Sequence, residues 1–238
     1  MRVLVLCALV ACTYPEKELL GPLTCFGEPA PTTADPVVKI TGTTTDPQDL
    51  TALPGVAVAL QDATMGTIAT TISDANGRFS ITLNTNGTPV TNVNLLASAI
   101  GRINTYYFPA RPLTHDLEIT PGLQVISSSE SGLLAAGAGF TFTTGAGQIL
   151  LSINDCIGGP QNGLSGATLA SSPSGSVRYF MGIQPSIPAT ATDAGGVALM
   201  ANLPPGKVTL TATVGALTLP ARTVTAVADA FTLTEIQP

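Results

Sequence analysis

The sequence predicts an all-β protein: two tandem β-sandwiches joined by a short helical connector and preceded by a signal peptide and a flexible tether. Three observations carry this expectation. Short apolar runs alternate with period two and are bounded by Gly, Pro, Asn and Asp. Charged residues make up 10% of the 238, against roughly 25% in an average soluble domain, so the surface is left to hydroxyl and small side chains. One order of strand and turn motifs also occurs twice along the chain.

Residues 1–11 read as the leader. Arg2 is a short positive region, and Val3 to Ala11 is apolar but would cover less than half of a ~30 Å hydrocarbon core. Leu9-Val10-Ala11 stands before Cys12. This resembles the bacterial lipobox, which implies diacylglyceryl transfer to the Cys12 thiol, cleavage before it and acylation of the new amine. Two or three acyl chains would anchor stably, since each buried CH₂ contributes about 0.8 kcal/mol. Loss of Cys7 with the leader and lipidation of Cys12 leave Cys25 and Cys156. In an oxidising compartment that even remainder predicts a Cys25–Cys156 disulfide, with two free thiols as the alternative.

Residues 12–36 are proline-rich and aperiodic, a tether between lipid and body. The first sandwich is expected over residues 37–126. VVKITGTTT is a strand, and LPGVAVALQDA puts Val56, Val58 and Leu60 on one face. Ile68 to Ile72 and Phe79 to Leu83 alternate around Asp74-Ala-Asn-Gly, a hairpin signal. VNLLASAIG, NTYYFPARP and LEITPGLQVIS supply further strands. Residues 127–144 are the connector: Ser127 or Ser128 ahead of Glu130 starts a short helix, and Gly139 or Gly145 ends it. The second sandwich, residues 145–238, repeats the plan. GQILLSINDC is a strand, LSGATLASS parallels LPGVAVALQ, and Asp193-Ala-Gly-Gly stands where Asp74-Ala-Asn-Gly stood.

At LPGVAV (53–58), SDANGRF (73–79), GAT (166–168), TDAGG (192–196) and LPPG (203–206) the chain resembles bacterial carboxypeptidase regulatory-like domains. That resemblance implies transthyretin-like, Ig-like sandwiches and a non-catalytic appendage, with no peptidase domain. It departs from the pattern at Val197-Ala-Leu and at Val208, where aromatics are usual. The whole chain looks like lipoproteins of this type common in myxobacteria and their relatives.

Catalytic and metal-binding constellations are not expected. His115 is the single histidine, and no Gly-x-Ser-x-Gly elbow accompanies it. Asp74, Asn76 and Asp193 are too few for calcium and suit turns. Gly137, Gly139, Gly145 and Gly147 lack dinucleotide-fingerprint spacing. A formal net charge of −6 without a basic run excludes nucleic acid. No cofactor is implied. Tyr106 and Tyr107 are the candidate ligand-binding residues, in the densest aromatic cluster.

The expected function is a non-enzymatic lipoprotein of the cell envelope that displays sandwiches for protein interaction or envelope structure. The alternative is a carbohydrate-binding module for envelope or extracellular polysaccharide. Thr13 after Cys12, rather than Asp, points to the outer membrane, with the body in the periplasm or at the cell surface.

Overall fold

The computed structural model describes residues 23–158 and 162–238; the leader and Cys12 lie outside them. The first half of the described chain holds strands β1 (Val37–Thr45), β2 (Ala57–Gln61), β3 (Thr67–Ile72), β4 (Arg78–Asn84), β5 (Asn94–Ser98), β6 (Thr105–Phe108) and β7 (Leu117–Gln124). Helix α1 (Ser128–Ala138) follows. The second half holds β8 (Gly147–Ile153), β9 (Ala167–Ser172), β10 (Ser176–Met181), β11 (Gln184–Ser186) and β12 (Val197–Leu203). It closes with β13 (Gly206–Val214), β14 (Leu217–Thr218), β15 (Arg222–Ala226) and β16 (Phe231–Ile236).

These strands form three sheets. The first has the order β4-β1-β7, with β7 parallel to β1. Another has β13 at its centre, flanked by β9, β14 and β15. The third is a nine-stranded sheet, β11-β10-β12-β8-β16-β6-β5-β2-β3, which runs through both halves. Its seam is the parallel pairing of β16 with β6, Phe231 to Thr234 against Thr105 to Phe108.

One strand plan recurs. In the first half β4-β1-β7 faces β2-β5-β6; in the second, β12-β8-β16 has the same order and sense, and faces β9-β13-β15. The hydrogen bonds repeat residue for residue. Ser73 Oγ accepts the Val56 N–H and donates to the Leu53 carbonyl; Thr192 Oγ1 accepts the Ala167 N–H and donates to the Leu164 carbonyl. The strand order therefore recurs, but one sheet runs through both halves rather than each half closing on its own.

Register settles how the layers stack. Ile149, Leu151, Thr232, Thr234, Tyr106 and Phe108 point to one face of the nine-stranded sheet; Leu150, Leu233, Tyr107 and Leu95 point to the other. The β13 sheet packs on the first face, in a core with Ile149, Leu151, Leu203, Val208 and Leu210. The β4-β1-β7 sheet packs on the second, in a core with Ile40, Val58, Leu60, Phe79 and Leu95. Beyond it α1 and the following Phe140 and Phe142 cover Phe180, Leu199 and Phe231. With both faces covered, β8 reads as a near-continuous apolar run, whereas β4 alternates strictly, Phe79, Ile81 and Leu83 inward.

Helix α1 occupies the predicted connector. Ser127 caps it in a capping box with Glu130, and Gly139 ends it at φ +67°. Two expectations change. The Asp74-Ala-Asn-Gly turn does not close a hairpin: β3 pairs with β2, β4 pairs with β1, and the turn carries the chain from one sheet to another. Period-two patterning on both sides of a tight turn cannot tell a ladder from an arch. The described part of the tether, residues 23–36, is also fixed rather than loose. Leu23 is buried in the second-half core, and the Ala34 and Asp35 N–H groups donate to the Gly87 and Thr114 carbonyls.

Candidate interaction surface

Strands β8, β16 and β6 are parallel, so all three finish at one end of the large sheet. The N-terminal segment joins the body there. Cys25 is disulfide-bonded to Cys156, three residues past β8, with the Cα atoms 5.6 Å apart. The Arg111 guanidinium, just past β6, donates to the Cys156 carbonyl at 3.0 Å. Leu23 and Phe26 pack into the adjacent core. The cross-link spans 131 residues and ties the incoming segment to the second half.

The two candidate tyrosines point to opposite faces. Tyr106 is 8% exposed and lies in the second-half core, so its ring offers no stacking platform to a sugar. Tyr107 is half-buried and packs against the first-half core. Burial pushes both phenols above their ordinary pKa; at Tyr107 the charge of Glu235 adds to this and that of Arg222 opposes it. Tyr179 is buried as well, its hydroxyl accepting the Leu169 N–H at 2.9 Å.

Asp74 accepts the Asn76 and Arg78 N–H groups, each at 2.8 Å, on one carboxylate oxygen. Asp193 likewise accepts the Gly195 N–H at 2.9 Å. Asp74 thus serves its own turn, and Asp193 serves its own and, through the Gly182 N–H, the turn after β10. His115 pairs with Asp35 at 2.8 Å on the exposed surface. Among the described residues no group of three His, Cys, Asp or Glu is placed to hold a metal ion.

The sequence did not reveal a charged cluster between the first half and α1. Arg102 Nη1 donates to Asp46 at 2.7 Å, to the Val125 carbonyl at 2.9 Å and to Glu130 at 3.2 Å. Glu130 also accepts the Ser127 N–H, so the helix cap and the ion pair share one carboxylate. Burial pushes the Asp46 carboxyl up. The hydrogen bonds of Arg102, Glu130 and the Gln48 N–H, with the Arg102 charge, outweigh that and hold it below the usual carboxylate value. Only the Glu130 part had a sequence signal, its capping-box spacing.

A depression of about 570 Å³ beside β1 and β4 is lined by Thr41, Thr43, Ile72, Asp74, Arg78 and Glu118, and is broadly exposed to solvent. Large apolar side chains project at both ends of the big sheet. Ile157 and Ile183 are 81% and 90% exposed at the end that carries the disulfide, and Ile100 is fully exposed at the other. Among the described residues no helix is long and apolar enough to cross a membrane.

No protein-family model matches the chain, and neither does any curated protein. Solved structures show distant likeness. The Bacillus anthracis TIE protein is 11% identical over 85% of this chain and 34% of its own, with a TM-score of 0.29. A streptococcal ancillary pilin is 14% identical over 85% of this chain and 62% of its own, with a TM-score of 0.25. The E269A mutant of the shaft pilin SpaA from Lactobacillus rhamnosus GG is 11% identical over 87% and 98%, with a TM-score of 0.25. This chain thus spans about a third of the TIE protein's length. At such distance no activity or partner passes to this chain.

Proposed function

We propose that this chain is a non-catalytic, lipid-anchored protein of the bacterial cell envelope, held through Cys12, that displays its β-sandwich body as a structural or protein-interaction module. The outer membrane is its place in this reading. The observation that carries it is the Cys25–Cys156 disulfide. Such a cross-link belongs to an exported compartment. It also fixes to the body the segment that follows Leu9-Val10-Ala11-Cys12. The sparse charge and hydroxyl-rich strands suit the same setting.

The test is the intact mass of the membrane-extracted protein, before and after reduction and alkylation. The expected mass is the chain from Cys12 plus acyl groups, with two further thiols alkylated only after reduction. An unacylated mass, or cleavage elsewhere, rejects the anchor.

A further inference from the structure

We infer that the disulfide end of the nine-stranded sheet is a lipid-facing surface, seated at the headgroup–acyl boundary through Ile157 and Ile183, with Met181 beside them. The inference rests on the lipid-anchored reading above and adds which face of the body meets the membrane.

Placement comes first. β8 and β10 both run antiparallel to β12, so their C-terminal ends lie at the same end of the sheet. Ile157 follows β8 and Ile183 follows β10, one strand apart, or about 10 Å. Met181, the last residue of β10, is 55% exposed beside them. The incoming chain is pinned here by Cys25 and Leu23. The steps from Cys12 to Leu23 reach at most about 40 Å, so an anchor on Cys12 keeps this end near the bilayer.

The apolar tips are also held outward by their neighbours. Asp155 accepts the Ile157 N–H at 2.8 Å and the Gly158 N–H at 3.2 Å. Asp193 accepts the Gly182 N–H, fixing the turn that presents Ile183. Both carboxylates are thereby occupied by backbone donors. Residues 155–158 and 181–187 contain no Lys or Arg. Arg111, exposed where it donates to the Cys156 carbonyl, is a cation beside them; contact through Ile157 and Ile183 themselves is apolar and made with the acyl boundary.

The chain has no Trp, so one introduced Trp is a clean reporter. Ile157→Trp, Ile183→Trp and the far-end control Ile100→Trp are expressed with the leader, extracted, checked by mass and reconstituted into phosphatidylcholine vesicles with or without brominated acyl chains. Brominated lipid is expected to lower emission from the Ile157→Trp and Ile183→Trp chains about twofold or more, and to leave the Ile100→Trp chain unchanged. The contrast should persist in high salt. Acylated protein with no quenching at either near-end position, or with quenching at Ile100→Trp, overturns this inference and leaves the anchor standing. An unacylated mass overturns both.

Discussion

Replacing Thr192 by Val tests whether the repeated turn bracket holds the second half together. Thr192 is 4% exposed. Its hydroxyl accepts the Ala167 N–H at 2.9 Å and donates to the Leu164 carbonyl at 2.6 Å, and both residues are buried. Valine keeps the shape and removes the bridge. Each buried group left without a partner costs about 1–3 kcal/mol, and losing the burial of the hydroxyl itself returns part of that. The net expectation is a loss of about 2–4 kcal/mol. At about 2–4 °C per kcal/mol for a chain of this size, Tm falls by about 5–15 °C. Thr192→Ser keeps both bonds and loses one methyl, about 0.8 kcal/mol. Urea denaturation and calorimetry read both variants. A Val variant within about 0.5 kcal/mol of the parent, or a Ser variant as damaged as the Val, would refute the assignment.

Three further outcomes follow from the same structure. Gly196→Ala should destabilise by about 2 kcal/mol or more, because a Cβ there would sit 2.4 Å from the Ile153 carbonyl oxygen at φ +67°; unchanged urea midpoints would contradict this. Arg102→Ala should cost about 2 kcal/mol at pH 7 by stripping Asp46 and Glu130 of their shared donor. Asp46 is depressed in the folded protein, so its contribution is present above its ordinary value near 3.8 and is lost as pH falls through the folded one. The gap between Arg102→Ala and parent should accordingly narrow in acid. Finally, calorimetry should show one unfolding transition, because β16 pairs with β6 and Tyr106 and Phe108 complete the second-half core; two separated transitions would disprove this coupling.

What the sequence disclosed was local. Val56, Val58 and Leu60 face one core as their alternation predicts, and Ser127, Glu130 and Gly139 bound the helix as capping chemistry predicts. The Gly55 and Gly166 pair disclosed the repeat, each at positive φ before its strand. What it concealed was pairing. β16 joins β6 across more than a hundred residues, and nothing in FTLTEI names TYYF as its neighbour. β10 and β11 carried no turn signal stronger than a lone Gly182 and were not expected as strands. Tyr106 and Tyr107 drew notice as a cluster, but alternation sends them to opposite faces, and only the layers above and below decide that Tyr106 is buried and Tyr107 half-buried.

The same repeat identifies the edges at which one copy could add to another, and what stands there against it. The β16–β6 seam would propagate if β7 of one copy could pair with β15 of another, since these are the equivalent strands. Aligning Thr44 with Ile153, which make matching backbone bonds to Gly77 and Gly196, puts Asp116 and Glu118 where the seam has Phe231 and Leu233. Two carboxylates thus replace two apolar side chains, and Pro121 follows at a bulge in the β1–β7 ladder. On the other edge, aligning Leu210 with Leu95 puts Pro220 and Ala221 where the seam has Thr105 and Tyr106, and β15 begins only at Arg222. Charge and proline at open edges are the usual devices against strand addition. The chain from Thr13 should therefore sediment as a monomer, whereas Asp116→Phe, Glu118→Leu and Pro220→Thr together, which open both edges, should associate. A parent chain that polymerises with concentration would show that these edges are open, and that the acidic pair does not close them.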